Sequence, residues 1–429
     1  MTTAIVTLIL LFAALAGAPL FAVIGASALI GFHLAGIDGQ AVIIEIYRIA
    51  DMPILVAIPL FTLAGYILGE SDAPRRLVRL TDALLGGFGG GLAIVALIAC
   101  ALFTAFTGAS GITIVALGAL LYPALKTAGY GDRFSLGLVT SSGSLGILFA
   151  PSLPLILYGV VAQQLDLPIS MSINDLFLAG LLPGVLMLVI LSAYSVYHGR
   201  GLRSPDHPGF DRREAWAAIR DAGWELPLPL FVLGGIYGGL IAISEAAALA
   251  AVYALVVEVM IRGDIHWRRL PDVLVDAMKL VGAILLILGV SLASTNIMID
   301  ARVPTRLFEW IQSVVDNRWT FLILLNIFLL ILGMMLDIFS ALVIIVPILL
   351  PVALGYGIDP LHLGIIFLAN MQIGYFTPPV GMNLFIASFR FGKPVMTLYR
   401  ATLPFFFLLL AAVLIITYVP ALSLWLPGR

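Results

Sequence analysis

Two groups of small polar residues lie inside apolar stretches of the chain, at points where Gly and Pro interrupt a helical pattern. An interrupted helix leaves backbone carbonyls without their usual donors, and Pro adds to this effect because it has no N–H group. Carbonyl and hydroxyl oxygens suit Na⁺, whereas the N-termini of half-helices suit a carboxylate. The first group comprises Thr107, Ser110, Thr113, Ser141, Ser142, Gly143, Ser144 and Gly146, and the second comprises Asp337, Ser340, Asn370, Gln372, Gly374, Thr377 and Pro378.

From these groups we predict the ligands of two or more Na⁺ ions and the contacts of a carboxylate substrate. Ser and Thr in membrane helices commonly donate to the carbonyl one turn earlier, and this structural role is the alternative for each hydroxyl. The predicted Na⁺ ligands are Ser110, Ser141, Ser142, Gly143, Gly146, Asp337, Ser340, Gly374 and Thr377. The predicted substrate contacts are Thr107, Ser110, Ser144, Asn370 and Gln372.

Asp337 is the only carboxylate in either group, so the two predicted ion sites are not equivalent. A charged side chain in the middle of a bilayer costs ~2.5–3.5 kcal/mol or more on insertion scales. A bound cation would offset this cost, which favours a ligand role for Asp337. The alternative is a buried, protonated Asp.

The two groups occupy matching positions in a duplicated pattern. In each copy a Pro, a Gly-Tyr-Gly triplet and a Leu-Gly pair precede the polar break in the same order. The first copy has Pro123, Gly129-Tyr130-Gly131 and Leu136-Gly137, and the second has Pro351, Gly355-Tyr356-Gly357 and Leu363-Gly364. Internal repeats with interrupted apolar segments are typical of membrane transporters whose binding sites lie at the breaks.

The composition places the chain in the membrane. Hydrophobic residues make up 62% of the 429 residues, charged residues only 11%, and the mean hydropathy is +1.13. A soluble protein would have about 25% charged residues. These values predict an all-α protein that crosses the membrane several times.

Several function classes have no support in the sequence. Cys100 is the single cysteine, and the five histidines are scattered without the spacing of metal ligands. The glycine run at 86–91 lacks the Lys-Ser/Thr of a phosphate loop, so ATP-driven transport is not indicated. The net charge of -2 does not suggest nucleic-acid binding. An intramembrane enzyme lacks a His–carboxylate or Ser–Lys pair, and no enzymatic activity is predicted.

The apolar stretches fall into two halves of similar length. We predict a first repeat at 1–198, a cytoplasmic polar linker at 199–225 and a second repeat at 226–429. Two stretches, at about 83–125 and 319–358, are too long for one span and carry small or polar residues in the middle. A re-entrant helical hairpin accounts for each of them, and two ordinary spans joined by a tight turn are the alternative. Each hairpin precedes a broken helix, at 134–163 and 361–389, and charged helices at 70–82 and 300–316 would brace these elements.

The placement of basic residues predicts the topology. With the linker in the cytoplasm, the first hairpin opens from the cytoplasmic side and the second from the outside, so the repeats are inverted. Both termini are then expected on the periplasmic side, although a single tilted span at 3–35 would place Met1 inside. The basic residues assigned to the cytoplasm are Arg75, Arg76, Arg79, Lys126, Arg133, Arg262, Arg268, Arg269, Arg390, Lys393 and Arg400, and the exceptions outside are Arg302, Arg306 and Arg318.

Five segments resemble the large membrane subunit of the tripartite ATP-independent periplasmic (TRAP) transporters. They are AIPLFTLAG (57–65), SSGSLGIL (141–148), PSLP (151–154), EAAA (245–248) and TPPVG (377–381). The resemblance covers essentially the whole chain. One departure is Phe149-Ala150-Pro151, where the family commonly has two consecutive prolines.

The resemblance implies an elevator-type fold with two inverted repeats and a Na⁺-coupled import of organic acids, often dicarboxylates or sialic acid. It also implies two partners, a separate small membrane subunit and a periplasmic substrate-binding protein, and a place in the inner membrane of a bacterium or archaeon. The family's paired Na⁺ sites fall on the two groups of polar residues. A self-sufficient, ion-coupled carboxylate carrier of related fold is the alternative function. The sequence does not identify the organic acid.

Overall fold

The computed structural model describes residues 9–10, 12–13, 16, 18–48, 52–85, 90–165, 171–200, 211–315 and 317–428. All regular elements in these ranges are helices. Eight of them are long and apolar enough to cross a membrane, or nine if one bent pair counts as a span. The prediction of an all-α membrane protein is therefore confirmed. The position of Met1, most of the glycine run and linker residues 201–210 lie outside the described residues.

The described residues of the first half form nine α-helices with defined bounds, and the polar linker contributes a tenth. Short 3-10 turns at Pro53–Val56 and Leu145–Leu148 supplement them. The helices are α1 (Leu20–Leu34), α2 (Gln40–Arg48), α3 (Ala57–Glu70), α4 (Ala73–Leu85), α5 (Gly91–Thr107), α6 (Ser110–Thr127), α7 (Asp132–Ser142), α8 (Leu153–Gln163), α9 (Ile173–Gly199) and α10 (Arg212–Asp221).

The second half follows a related order. Helix α12 continues into one wide π-helical turn at Val256–Ile261. The helices are α11 (Pro227–Tyr237), α12 (Ile243–Leu255), α13 (Leu270–Asp300), α14 (Val303–Val314), α15 (Arg318–Met335), α16 (Ile338–Gly355), α17 (Pro360–Gly374), α18 (Met382–Phe391), α19 (Val395–Tyr418) and α20 (Ala421–Leu424).

Both long apolar blocks fold back on themselves at two-residue turns. We call α5–α6 hairpin 1, with tip 1 at residues 108–109, and α15–α16 hairpin 2, with tip 2 at residues 336–337. Gly108 has φ 65°, and a Cβ there would lie 2.6 Å from the side chain of Leu153. Glycine is therefore required both for the turn and for its close approach to α8.

Each broken helix passes the tip of a hairpin at its midpoint. The first consists of α7, the short turn at Leu145–Leu148 and α8, and it bends by 41°. The second consists of α17 and α18, which are separated by the non-helical residues 375–381. Tip 1 packs against the start of α8. Hairpin 2, at Gly333 close to tip 2, packs against the end of α17. Both tips therefore lie midway along the bundle, as expected for re-entrant hairpins.

The two halves run in opposite directions. At one end, Lys393 after α18 lies 3.4 Å from Asp132, the first residue of α7. At the other end, Tyr158 near the end of α8 donates to the carbonyl of Pro360, the first residue of α17, at 2.6 Å. The two broken helices are therefore antiparallel, and the open ends of the two hairpins lie at opposite ends of the bundle. This is the predicted inverted arrangement.

Helix α17 lies at the centre of the fold. All of its residues from Pro360 to Gly374 are buried. A helix that is apolar on every side gains most by complete burial, because no face needs to remain polar. Its three polar residues, His362, Asn370 and Gln372, consequently face other helices and not lipid or solvent.

Candidate functional site

A cavity of about 720 Å³ lies where the two hairpin tips meet. One wall is formed by the tips and by α18, and the opposite wall by α3 and α13. The lining residues include residues 108–112 of hairpin 1, Asp337, Phe339 and Ser340 of hairpin 2, Tyr375, Met382, Ile386 and Arg390 near the second break, and Tyr66, Glu70, Leu280 and Ile284 on the opposite wall. Of the predicted substrate contacts, only Ser110 is among them.

The N-terminus of α6 opens into this cavity. Its N-cap, Ala109, has no side chain that could accept from the first N–H groups, and Ser110, Gly111 and Ile112 all line the cavity. The first N–H groups of a helix have no partner within the helix and carry partial positive charge. This helix end is therefore suited to an anion. Gly111 allows the N-terminus of α6 to lie close to α18, because a Cβ at this position would be 2.7 Å from the side chain of Ile386.

The N-terminus of α16 is arranged differently, because Asp337 caps it. Its Oδ1 atom accepts from the N–H groups of Phe339 and Ser340, both at 3.0 Å. The carboxylate is half-buried and lines the cavity. It is therefore not the isolated charge that the sequence suggested, since two N–H donors and the helix dipole already stabilise it. An Asp directly before an apolar helical run was the local signal for this cap.

The first group of polar residues comes together around the first break. The Thr104 hydroxyl donates to the carbonyl of Gly143 at 2.8 Å and lies 2.7 Å from the hydroxyl of Thr113. Gly146 packs against the backbone of Ala101 in α5, where a Cβ would not fit. The structure thus joins Thr113, Gly143 and Gly146 as the sequence suggested, and it adds Thr104, one turn before Thr107.

Three predicted ligands have the structural bonds that were the alternative. Ser141 donates to the carbonyl of Gly137 at 2.8 Å, Ser142 to Val139 at 3.3 Å and Thr377 to Ile373 at 2.7 Å. The hydroxyl protons of Ser141 and Ser142 are thereby used within α7, and that of Thr377 is used by a carbonyl at the end of α17. The oxygens still have lone pairs, so a ligand role for these residues stays a prediction.

Asn370 and Gln372 lie outside the cavity that Asp337 lines, which differs from their expected grouping with Asp337, and Ser144 of the first group lies outside it as well. Asn370 donates to Asn326 of α15 at 2.8 Å, and the Gln372 amide nitrogen lies 3.4 Å from the sulfur of Met187 in α9. Ser144 donates to the backbone carbonyl of Gln372 at 3.1 Å, which ties the first break to α17. The physical reason is the complete burial of α17, which directs its polar side chains toward neighbouring helices.

Several buried oxygens near the breaks have no hydrogen-bond partner. They are the hydroxyls of Thr107 and Ser152 and the side-chain oxygens of Asn370 and Gln372. Unsatisfied buried acceptors are costly, and a cation or a water is the usual means of satisfying them. Thr107 is fully buried behind tip 1 and does not line the cavity.

The second hairpin docks onto the second break through glycine. A Cβ on Gly374 would lie 2.5 Å from the carbonyl carbon of Gly333 in α15. The Ile338 N–H donates to the hydroxyl of Tyr375 at 2.8 Å, and the Gly381 N–H donates to the carbonyl of Met334 at 3.1 Å. Gly374 therefore lies where the sequence placed it, whereas Tyr375 was not anticipated.

Residues 4–422 match the family model described as "Tripartite ATP-independent periplasmic transporter, DctM component". The chain belongs to this family. The resemblance seen in the sequence is therefore confirmed, and the chain is the large membrane subunit of a TRAP transporter. This agrees with the two inverted halves and the cavity between their hairpin tips.

Relatives in the DctM family differ in their named substrates. The C4-dicarboxylate TRAP transporter large permease protein DctM of Pseudomonas aeruginosa is 36% identical over 389 residues, which cover 91% of this chain and 90% of that protein. The ectoine/5-hydroxyectoine large permease protein UehC of Ruegeria pomeroyi is 32% identical over 372 residues, with 87% and 85% covered. The isethionate permease protein DctMQ of Oleidesulfovibrio alaskensis is 36% identical over 422 residues, which cover 95% of this chain and 65% of that protein.

A solved structure shares the fold. The YdaH transporter of Alcanivorax borkumensis, whose crystal structure is described as having an unusual topology, superposes with a TM-score of 0.63. The match covers 90% of this chain and 87% of that one, at 16% sequence identity. At this identity the likeness supports the architecture alone.

Proposed function

We propose that this DctM-family chain carries an organic anion across the inner membrane through the cavity between its hairpin tips. The observation that carries the proposal is the uncapped N-terminus of α6, which faces the same cavity as Arg390. A helix N-terminus and a guanidinium both favour a carboxylate, and Arg additionally donates two parallel hydrogen bonds. The dicarboxylates and ectoine named for its relatives make an organic acid the favoured substrate class.

We further propose that Na⁺ drives this transport. The first break supplies neutral oxygen donors from Thr104, Thr113 and the carbonyl of Gly143 within a buried region. Asp337 supplies a carboxylate at the cavity. Such oxygens fit a hard monovalent cation, and discontinuous helices offer them in other Na⁺-coupled carriers. We propose two or more ions, with at least one at each break.

The movement that we propose is an elevator motion of the hairpins and broken helices. The cavity lies between these elements and the wall formed by α3 and α13, so movement of one wall past the other would carry its contents with the tips. The contacts that join hairpin tips to breaks, such as Gly333 with Gly374, would travel as one unit.

The proposed partners are a small membrane subunit and a periplasmic substrate-binding protein.

The linker and several of the arginines assigned to the cytoplasm converge at one end of the molecule. At this end Arg79 binds Glu214 and Asp221, and Arg269 binds Glu70. We propose that this end is cytoplasmic and that both chain termini are periplasmic. A carrier that works without partners is the second candidate.

Transport by the complete system in proteoliposomes tests these proposals. The chain, the small subunit and the binding protein are combined with a labelled C4-dicarboxylate, and uptake is measured under an inward Na⁺ gradient or a pH gradient. Uptake that requires the Na⁺ gradient and both partners is expected. Uptake driven by the pH gradient and indifferent to Na⁺ would overturn the proposed ion, and full uptake without partners would favour the second candidate.

A further inference from the structure

Arg76 belongs to a buried ion cluster that lies outside the transport cavity. It lies on α4, and its side chain is only 9% exposed. The guanidinium contacts Glu225 at 2.5 Å, Asp264 at 2.8 Å and Glu258 at 2.9 Å. The cluster therefore joins α4, the segment after the linker helix α10 and the end of α12. We call these four residues the Arg76 cluster.

The charges of the Arg76 cluster do not balance when every group is ionised. The second nearby cation, Arg262, lies 3.8 Å from Glu225. Arg262 is also shared with Asp221, at 3.9 Å. Even if the whole charge of Arg262 is counted, two guanidinium groups face three carboxylates, which leaves at least one negative charge in excess. Glu258 is fully buried, and one oxygen of Glu258 and one of Glu225 have no hydrogen-bond partner. An uncompensated buried charge is strongly unfavourable, and a group in this position usually binds a proton.

Glu258 and Asp264 bind the two terminal nitrogens of the same guanidinium, that of Arg76, at 2.9 Å and 2.8 Å, which brings the two carboxyl groups side by side. Two ionised carboxylates offer only acceptors, so a hydrogen bond between them requires a proton on one. The wide π-helical turn at Val256–Ile261 presents Glu258, and the Asp264 N–H donates to the Glu258 carbonyl at 2.9 Å. A π-turn inserted in an α-helix is frequently found at functional sites.

Asp264 is the member of the pair that remains ionised. Burial opposes its charge, but hydrogen bonds from Arg76 and from the backbone N–H of Asp72 outweigh this and hold the pKa of Asp264 below its usual range. Glu258 is the more buried of the two, with a side-chain exposure of 0% against 13% for Asp264. The proton therefore belongs on Glu258.

We propose that Glu258 holds a proton and donates a hydrogen bond to the ionised Asp264, and that this proton site fastens the linker segment to α4 and α12. When Glu258 is neutral, the two positive charges of Arg76 and Arg262 balance the two negative charges of Glu225 and Asp264. The bridge from Arg76 to Glu225 then holds residues 211–226 against the bundle. The other charged or titratable groups that surround the site are Asp72 just before α4, Arg75, Arg79 and Asp82 of α4, Glu214 and Asp221 of α10, and Tyr253 of α12.

The sign of the pH effect follows from the proton. A proton bound in the folded state and released on unfolding stabilises the fold at lower pH, and this stability is lost as the pH rises. At alkaline pH Glu258 becomes charged next to Asp264, and the two compete with Glu225 for Arg76. The linker segment is then expected to loosen. This site lies outside the transport cavity, so its test is independent of the transported ion.

Infrared spectroscopy of the full chain in lipid nanodiscs detects the proton directly. The C=O stretch of a protonated carboxylic acid is expected at neutral pH and should disappear on alkalinisation. Glu258→Gln should lack this band. The control is Glu245→Gln on the same helix, an exposed residue that only caps its own helix start, and it should keep the band. A band that survives in Glu258→Gln would overturn the proposal.

Thermal unfolding and hydrogen exchange supply a second readout. Wild-type protein should lose stability between neutral and alkaline pH and exchange faster in α10, whereas Glu258→Gln should show neither change because its amide mimics the neutral acid. The proposal would be overturned if the thermal stability of wild type and of Glu258→Gln changed with pH in the same way. If Glu258→Gln does not fold, Asp264→Asn is the second variant. The new amide would donate to an ionised Glu258, so the infrared band of the protonated acid should again be lost. A band that persists in Asp264→Asn would contradict the proposal.

Discussion

Ser110 at tip 1 donates to the Oδ1 atom of Asn383 on α18 at 2.7 Å. The Asn383 amide in turn donates to the carbonyl of Thr140 in α7 at 3.4 Å. One side chain from the second half thus bridges the hairpin tip and the broken helix of the first half. Because all three residues are buried, this bridge couples the first break to the helix that carries Arg390.

Ser110→Ala should destabilise the protein by about 1–3 kcal/mol, because it leaves the buried Asn383 oxygen without its donor. Thermal unfolding of the purified chain measures this loss. The control is Ser195→Ala, which is equally buried but removes only a hydroxyl that donates to Leu191 on its own helix. The carbonyl of Leu191 keeps its helical partner, so a smaller loss is expected. Equal losses in the two variants would show that the bridge contributes nothing.

Gly374→Ala should separate hairpin 2 from the second break. The added Cβ would lie 2.5 Å from the backbone of Gly333, and backbone atoms cannot move aside as a flexible side chain can. We expect a loss of several kcal/mol in stability and loss of uptake. Gly282→Ala on α13 is the control, because a Cβ there meets nothing within 4 Å. Replacing this helical glycine should stabilise the protein by roughly 0.5–1 kcal/mol. A Gly374→Ala variant with normal uptake would contradict the close docking.

The sequence identified the glycines at the two breaks but not the hydrogen-bonded residues beside them. Gly143 and Gly374 were found because a break in an apolar helix is a local pattern. Asn383 was missed because its importance depends on Ser110, 273 residues away in the chain. The directions of Asn370 and Gln372 were also hidden, since α17 is apolar on all sides and its pattern has no polar face to set its rotation.

Asp337 was recognised as exceptional from the sequence. The structure shows that it caps α16, and the Na⁺-ligand role stays a proposal beside this cap. Asp337→Asn keeps an N-cap, because Asn caps helices about as well as Asp, but it removes the charge. Its stability should stay within about 0.5 kcal/mol of wild type, while half-maximal uptake should require more Na⁺. Asp337→Ala loses the cap as well and should cost about 1 kcal/mol more. An unchanged Na⁺ response in Asp337→Asn would limit Asp337 to the cap.

Arg390→Gln should weaken recognition of the anion. A hydrogen bond to a charged group contributes about 1.5–3 kcal/mol, so the KM for a carboxylate substrate should rise roughly 10- to 100-fold. Initial rates of uptake at several substrate concentrations measure the effect. Arg400→Gln on α19 is the control, because Arg400 is exposed and is not among the residues that line the cavity. A KM that rises equally in both variants would point to a general effect of surface charge.

Arg76→Ala and Arg79→Ala compare a buried and an exposed arginine on the same helix. Arg76 is 9% exposed and holds three carboxylates, so its removal leaves buried charges without a partner and should cost about 3–5 kcal/mol. Arg79 is 46% exposed, and its two ion pairs, with Glu214 and Asp221, should contribute only about 0–1 kcal/mol each. Unfolding of both variants in detergent, at neutral pH, measures the difference. Because acid neutralises the orphaned carboxylates, lowering the pH should recover part of the stability of Arg76→Ala and none of that of Arg79→Ala. Similar losses in the two variants, with no recovery in acid, would mean that the buried cluster does not hold the linker segment.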